Sequence, residues 1–141
     1  MFREIQKFEV SIKGFVIKGS QLLILEEVGN GLWELPGGRI DVGEELELHA
    51  AILSREINEE LGENFNVEIG PPIVSWVRGK RESCVFLVGR LCRYVRGEIK
   101  LSPEHASYAW VTNKSWKRYN FASGYNFALE EFWNGFSQLS K

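Results

Sequence analysis

Residues 36–62 of the chain read PGGRIDVGEELELHAAILSREINEELG. The closing part of this stretch, residues 55–62, places the carboxylates of Glu56, Glu59 and Glu60 on one predicted helix. At about 100° per residue, Glu59 and Glu60 lie one turn beyond Glu56 and reach the same helix face. Like charges in this arrangement destabilise a helix by a few tenths of a kcal/mol per pair. A hard divalent cation takes oxygen ligands and would offset the repulsion, so the stretch indicates a candidate metal site.

The residues before the helix distinguish a metal site from an ordinary solvated helix face. Clustered glutamates alone are typical of such a face. However, the Pro-Gly-Gly sequence at 36–38 predicts a tight turn without side chains, where a backbone carbonyl or amide can approach an ion or a phosphate closely. Arg55 can also pair with a carboxylate such as Glu44 or Glu47 and brace the loop against the helix. The combination favours a functional site.

The pattern resembles the Nudix box, G-x5-E-x7-R-E-U-x-E-E-x-G-U, in which U is an aliphatic residue. Gly38, the next five residues and Glu44 match the opening of the box. The closing half is matched by Arg55, Glu56, Ile57, Glu59, Glu60 and Gly62. The lead-in LWELPG at 32–37 and the segment LSPEHASYAWV at 101–111 also resemble Nudix segments.

The chain departs from the box at two places. Ten residues, rather than seven, separate Glu44 from Arg55, and Glu47 has the spacing to Arg55 that the box requires. Three extra residues are close to one helical turn of about 3.6 residues, so we expect them to extend the helix at its N-terminal end. Glu63 occupies the final aliphatic position, after the glycine that ends the helix, and we expect little effect on chemistry.

The resemblance implies a metal-dependent pyrophosphohydrolase that cleaves a nucleoside diphosphate linked to another group. It implies that Glu56, Glu59, Glu60 and the Gly38 carbonyl hold Mg²⁺ or Mn²⁺, that one glutamate deprotonates the attacking water, and that Arg55 orients a glutamate. Many Nudix members add an acid from a loop outside the box, and Glu104 is the candidate here, with Glu82 as an alternative. We interpret His105 as a surface or structural histidine, although it could act as an acid–base group near neutral pH.

Strands, a helix, more strands and a closing helix follow one another along the chain, an order that predicts an α+β fold. Strands are expected at 8–18, 21–28, 66–78 (broken at Pro71-Pro72), 84–95 and 107–111, with a loop at 29–38. Helices are expected at 45–61, with an apolar stripe from Leu46 through Leu53 and Ile57 to Leu61, and at 123–139. This order suggests a mixed sheet covered by helices, and the resemblance implies a Nudix-like α/β/α sandwich.

Composition limits the function classes that remain. The 141 residues are expected to form a single domain, residues 1–141, and the net charge of −2 gives no support to a general nucleic-acid binder. The longest apolar run, residues 84–88, is far shorter than the roughly 20 residues that span a bilayer. No apolar signal segment is visible at the N-terminus, and Cys84 and Cys92 are expected to be reduced and buried. We therefore expect a cytoplasmic protein.

Two other function classes compete with the hydrolase. A nucleotide-binding regulatory module that lost catalysis would not need to retain a destabilising acidic cluster. A hydrolase of capped or triphosphate RNA ends would need a basic groove or a further domain. The substrate is expected to be a small nucleotide, namely a nucleoside triphosphate, a nucleotide sugar or a dinucleoside polyphosphate. Homodimerisation is left open.

Aromatic and basic side chains outside the box allow two interpretations. Trp33, Trp76, Trp110 and Tyr119 can stack on a base, but aromatics in strands usually fill a core, and we favour the core. The basic residues at 78–81 can contact phosphates or form a solvated hairpin tip.

Overall fold

The computed structural model describes residues 2–139 and has a mixed sheet with one helix on each face. The strands are β1 (Glu9–Lys18), β2 (Gln21–Glu27), β3 (Trp33–Glu34), β4 (Gly37–Arg39), β5 (Asn66–Arg78), β6 (Val85–Arg96) and β7 (His105–Val111). The helices are α1 (His49–Leu61) and α2 (Tyr125–Leu139). The predicted α+β class and mixed sheet are confirmed.

Strand β1 is the centre of the sheet. One of its edges pairs in parallel with β6 from Glu9 to Ile17, and its other edge pairs antiparallel with β4 at residues 11–13 and with β2 at residues 17–18. β2 continues the sheet to β7 and β3, while β6 continues it to β5. The short glycine strand β4 is therefore held directly against the centre of the sheet.

The alternation of β1 and β2 residues builds two cores. Successive side chains of a strand point to opposite faces, so Phe15 and Leu22 pack on the α2 side, and Val16 and Leu23 pack on the α1 side. Helix α1 adds Leu53, Ile57 and Leu61 to its core, and α2 adds Leu129, Phe132 and Trp133 to the other. Burial of the α1 stripe fixes which side of that helix carries its acids.

The three extra residues of the box do not lengthen the helix, and that expectation is wrong. Helix α1 begins at His49 rather than at residue 45, and the preceding residues form turns, with the N–H of Glu47 donating to the carbonyl of Glu44 at 3.0 Å. Leu46, predicted to belong to the apolar stripe, is 94% exposed. The carboxylate of Glu44 is held by Arg55 and by the N–H of Asp41, which keeps this segment in a loop.

Smaller differences concern strands and side chains. The predicted loop at 29–38 contains β3 and β4. β5 continues through Pro71-Pro72 with register shifts, because proline is tolerated in a strand that pairs with one neighbour in the sheet. Trp76 is buried in the core, as expected, and Trp33, Trp110 and Tyr119 are partly buried and pack against the two cores.

Two further expectations from the sequence can be compared with the structure. Cys84 and Cys92 are buried free cysteines, as expected. Neither helix in residues 2–139 has the length and apolar character needed to cross a membrane.

Candidate active site

The glycines of β4 bring the backbone of the sheet against helix α1. Gly37 has a φ of 139°, and a Cβ added there would lie 2.1 Å from the carbonyl oxygen of Ile12, so only glycine fits between β4 and β1. A Cβ added to Gly38 would lie 2.5 Å from the carboxyl carbon of Glu56. The Glu56 carboxylate therefore rests directly on the Gly38 backbone.

Glu60 is the buried acid of the helix, with 5% of its surface exposed. Its Oε1 accepts a hydrogen bond of 2.7 Å from the N–H of Gly37. Burial raises the pKa of its carboxyl to about 7, although the charge of Lys13 and the Gly37 hydrogen bond oppose the rise. Burial and the neighbouring Glu59 charge also raise the pKa of Glu56.

Arg55 connects the loop to the acidic helix face. Its guanidinium pairs with the carboxylate of Glu44 and lies 3.5 Å from Oε1 of Glu56 and 3.7 Å from Oε1 of Glu59. The hydrogen bond to Glu44 is the main cause that raises the pKa of Arg55, against a smaller opposing effect of desolvation. Between the two candidate partners, the structure pairs Arg55 with Glu44, whereas Glu47 is exposed.

A network of charged side chains, formed by Lys13, Glu34 and His105, lies behind Glu60. The sequence did not predict this network. Lys13 Nζ is 3.0 Å from Oε1 of Glu34, and His105 Nε2 is 3.0 Å from Oε2 of Glu34. The same His105 nitrogen is 3.6 Å from Oε2 of Glu60. His105 is 6% exposed, so it is not a surface residue.

The pKa values of these charged side chains follow from their burial and from their contacts with one another. Burial alone would raise the pKa of Glu34, but the hydrogen bond from His105 and the charge of Lys13 outweigh it and lower the pKa to about 2. Burial would lower the pKa of Lys13 and of His105, yet both are raised, Lys13 by the neighbouring Tyr125, Glu34 and Glu60, and His105 by Glu34 and Glu60. One signal was available in the sequence: Lys13 lies inside a largely apolar predicted strand, where a buried charge requires a partner.

The remaining candidates lie outside this cluster of contacts. Glu104 is exposed, and its backbone carbonyl accepts a hydrogen bond of 3.1 Å from the N–H of Val28. Its neighbour His105 is the side chain of that segment that contacts Glu34 and Glu60. Glu82 is exposed and lines a surface groove with residues 4–7.

The donor set of α1 and β4 is suited to a hard divalent cation. Within residues 2–139, no three His, Cys, Asp or Glu side chains are grouped closely enough to hold a metal ion. Nevertheless, the Gly38 backbone and the carboxylates of Glu56, Glu59 and Glu60 offer only oxygen ligands, which such cations take. The space at Gly38 that a Cβ would fill holds the Glu56 carboxylate, so a backbone oxygen and a carboxylate can act together.

A small cleft lies beside these groups. Its volume is about 210 Å³, and the residues that line it include Ser11, Lys13, Glu34, Gly38, Arg39 and Arg78. Lys13, Arg39 and Arg78 supply positive charge to a cleft that reaches the Gly38 backbone. The positive charges suit such a cleft to an anionic group beside the glycine strand.

Known proteins resemble this chain in sequence and in fold. The family model of the NUDIX domain matches residues 7–128. A MutT-like protein of Streptomyces ambofaciens is 32% identical over 104 residues, covering 73% of this chain and 63% of that protein. The nucleoside triphosphatase NudI of Escherichia coli is 34% identical over 91 residues, covering 57% of this chain and 62% of NudI. The chain thus spans less than two thirds of the length of these relatives.

A solved structure extends the likeness over nearly the whole fold. The MutT protein of Methanosarcina mazei superposes with a TM-score of 0.76 at 23% identity, and the match covers 99% of both chains. Together, the family match over most of the chain, the glycine strand against the acidic helix and the shared fold lead to one conclusion. The chain belongs to the NUDIX family of hydrolases.

Proposed function

We propose that the chain is a metal-dependent pyrophosphohydrolase that acts on nucleoside triphosphates. The observation that carries the proposal is the Glu56 carboxylate resting on the Gly38 backbone, because it places a carboxylate of the acidic helix against the glycine strand. Glu59, on the same helix, is largely exposed and available to a ligand. We propose Glu56, Glu59, Glu60 and the Gly38 carbonyl as the ligands of Mg²⁺ or Mn²⁺.

The substrate class is supported by two observations. The nucleoside triphosphatase NudI matches 57% of this chain. The cleft beside Gly38 carries Lys13, Arg39 and Arg78, whose charges suit the phosphates of a nucleotide. Nucleotide sugars and dinucleoside polyphosphates share the same pyrophosphate linkage and are the alternatives for the experiment below.

The proposed reaction requires positioning and neutralisation of charge more than covalent chemistry by the protein. When bound, the divalent cation would neutralise phosphate charge and activate an attacking water. Arg55 holds the loop that contains Glu44 against the helix and lies beside Glu56 and Glu59, so we assign it an orienting role. Lys13 and Arg78 line the cleft and would bind the substrate phosphates. Glu104 remains the proposed additional acid from outside the box.

A substrate screen tests the proposal. The purified chain is incubated with nucleoside triphosphates, nucleotide sugars and dinucleoside polyphosphates, each with Mg²⁺ and with Mn²⁺, and the products are identified by mass. We expect hydrolysis of nucleoside triphosphates to a monophosphate and pyrophosphate. Glu59→Gln should lower kcat strongly, whereas the matched control Glu130→Gln, at an exposed position of α2, should leave it unchanged. Turnover of nucleotide sugars alone would refute the substrate class, and normal turnover by Glu59→Gln would refute the catalytic role of the helix.

A further inference from the structure

We propose that Glu34 and His105, which both lie outside the Nudix box, are positioning residues that orient the Glu60 carboxylate for metal binding. This inference rests on the proposed function, because it requires Glu60 to be a metal ligand. It adds two residues, one from β3 and one from the start of β7, to the machinery of the acidic helix.

The contacts of Glu60 come from two different elements. Oε1 accepts the hydrogen bond from the N–H of Gly37 at 2.7 Å, and Oε2 lies 3.6 Å from Nε2 of His105. The carboxylate is therefore approached at both oxygens, from β4 and from β7. A carboxylate has further lone pairs, so these contacts restrict its orientation while leaving acceptor capacity for an ion.

His105 is itself held in place by Glu34. Its Nε2 lies 3.0 Å from Oε2 of Glu34, and the other Glu34 oxygen lies 3.0 Å from Nζ of Lys13. Within residues 2–139, Nδ1 of His105 has no hydrogen-bond partner, so the polar contacts of the ring are made through Nε2. Glu34 thus sets the orientation of the ring that faces Glu60.

Backbone hydrogen bonds hold the segment before His105 against the end of α1 that carries Glu60. The N–H of Ser102 donates to the carbonyl of Glu60 at 3.0 Å, and the N–H of Lys100 donates to the carbonyl of Leu61 at 2.9 Å. The N–H of His105 then donates to the carbonyl of Ser102 at 3.2 Å. The segment before β7 is therefore fastened to the same end of α1 that carries Glu60.

A purely structural role explains this arrangement poorly. Buried ion pairs are weak stabilisers, and replacing them by well-packed apolar residues is often neutral or stabilising. The buried Lys13, His105 and Glu60 and the half-buried Glu34 are nevertheless placed together beside the glycine strand. Partners that orient a metal ligand commonly change metal affinity or activity by about 10–100-fold when they are removed.

The experiment measures Mn²⁺ binding to the full chain without substrate, by electron paramagnetic resonance of the free ion. His105→Phe keeps a ring of similar size but removes Nε2, and it should weaken Mn²⁺ binding by about 10–100-fold. His105→Gln can place an amide N–H near the position of Nε2 and should retain most of the affinity. His49→Phe, at the exposed first residue of α1, is the matched control and should bind Mn²⁺ like the parent. Melting temperatures identify variants that fail to fold.

Two further measurements make the outcomes decisive. With nucleoside triphosphate as substrate, His105→Phe should lower kcat and leave KM close to that of the parent. In combination with Glu60→Gln, His105→Phe should cause no additional loss of Mn²⁺ affinity, because His105 acts through Glu60. If His105→Phe does not fold, Glu34→Gln, which keeps the shape of the side chain, should show the same loss of Mn²⁺ affinity.

Failure of this inference differs from failure of the proposed function. If Glu56→Gln weakens Mn²⁺ binding but His105→Phe or Glu34→Gln binds Mn²⁺ like the parent, the positioning role is wrong and the metal site stands. Equal losses in His105→Phe and His105→Gln would also overturn the positioning role, because the nitrogen would not matter. If Glu56→Gln also binds Mn²⁺ like the parent, the proposed metal site itself is wrong.

Discussion

The backbone N–H of Gly37 donates a hydrogen bond of 2.7 Å to Oε1 of Glu60. This contact joins the glycine strand β4 to the C-terminal end of α1 across 23 residues of sequence. It requires the unusual backbone of Gly37 on one side and a buried carboxylate on the other. The geometry of the candidate active site therefore depends on both elements together.

Glu60→Gln is expected to lower turnover while raising the stability of the metal-free protein at pH 8. Burial raises the pKa of the Glu60 carboxyl from 4.5 to about 7, so between these values the folded protein holds a proton that the unfolded chain has released. The stability of the metal-free parent should consequently fall as the pH rises from about 4.5 to about 7. Gln carries no charge, so this loss of stability at high pH does not occur in the variant. Its Oε1 can still accept a hydrogen bond from the N–H of Gly37.

The measurement is chemical denaturation of metal-free parent and variant at pH 8 and pH 4.5. One pKa unit corresponds to about 1.4 kcal/mol, so the variant should be more stable by about 1–3 kcal/mol at pH 8, with a smaller difference at pH 4.5. Its kcat should be strongly reduced. A variant that is less stable than the parent at pH 8 would show that ionised Glu60 stabilises the fold.

Gly37→Ala tests the close approach of β4 to β1. An added Cβ would lie 2.1 Å from the carbonyl oxygen of Ile12, and the φ of 139° is strained for alanine. Backbone strain alone costs about 1–3 kcal/mol, and the clash adds to it. Gly135→Ala is the control, because it is in α2 with open space around it and should be neutral or stabilising by up to about 1 kcal/mol. Equal melting temperatures of the two variants would contradict this close approach of the two strands.

A double-mutant cycle tests the pairing of Arg55. Arg55→Ala should reduce both stability and activity, because Arg55 connects the loop to the helix through Glu44. The cycle of Arg55→Ala with Glu44→Gln should show coupling, whereas the cycle with Glu47→Gln should be additive. Thermal denaturation and kcat are measured for each variant. Coupling to Glu47 instead would mean that the box is paired with its usual spacing of seven residues.

Core packing of α1 can be checked by comparing two leucines. Leu53 is fully buried, and Leu53→Ala should cost about 2–5 kcal/mol of unfolding free energy. Leu46 is 94% exposed, and Leu46→Ala should change stability by less than about 0.5 kcal/mol. Urea denaturation of both variants provides the measurement. Similar losses would place the start of the helix at residue 45, as the periodicity of the sequence suggested.

Local patterns were sufficient for the family and for most of the fold. The box motif led to the NUDIX family, and alternation in β1 and β2 together with the stripe in α1 led to a mixed sheet with helices on its faces. The predicted start of α1 differs from the observed one because Leu46 continues the helical period, whereas the Glu44 carboxylate, held by Arg55, keeps its segment in a loop.

Lys13 signals a buried charge in the sequence, but the partners of the charged groups behind Glu60 could not be found from the sequence. Lys13 meets Glu34 across 21 residues, and His105 meets Glu34 across 71. These pairings arise because β1 pairs with β4 and β2 pairs with both β3 and β7, and no periodicity encodes them. The roles of Glu56, Glu59, Glu60, Gly38 and Glu104 stay predictions.

The central claim, that the acidic face of α1 supports metal-dependent hydrolysis, is tested most directly by removing divalent cations. The purified chain is exhaustively chelated, and hydrolysis of nucleoside triphosphate is then measured before and after addition of Mg²⁺. We predict that chelation abolishes turnover and that Mg²⁺ restores it in the parent, but not in Glu56→Gln. Full activity after chelation would contradict the account.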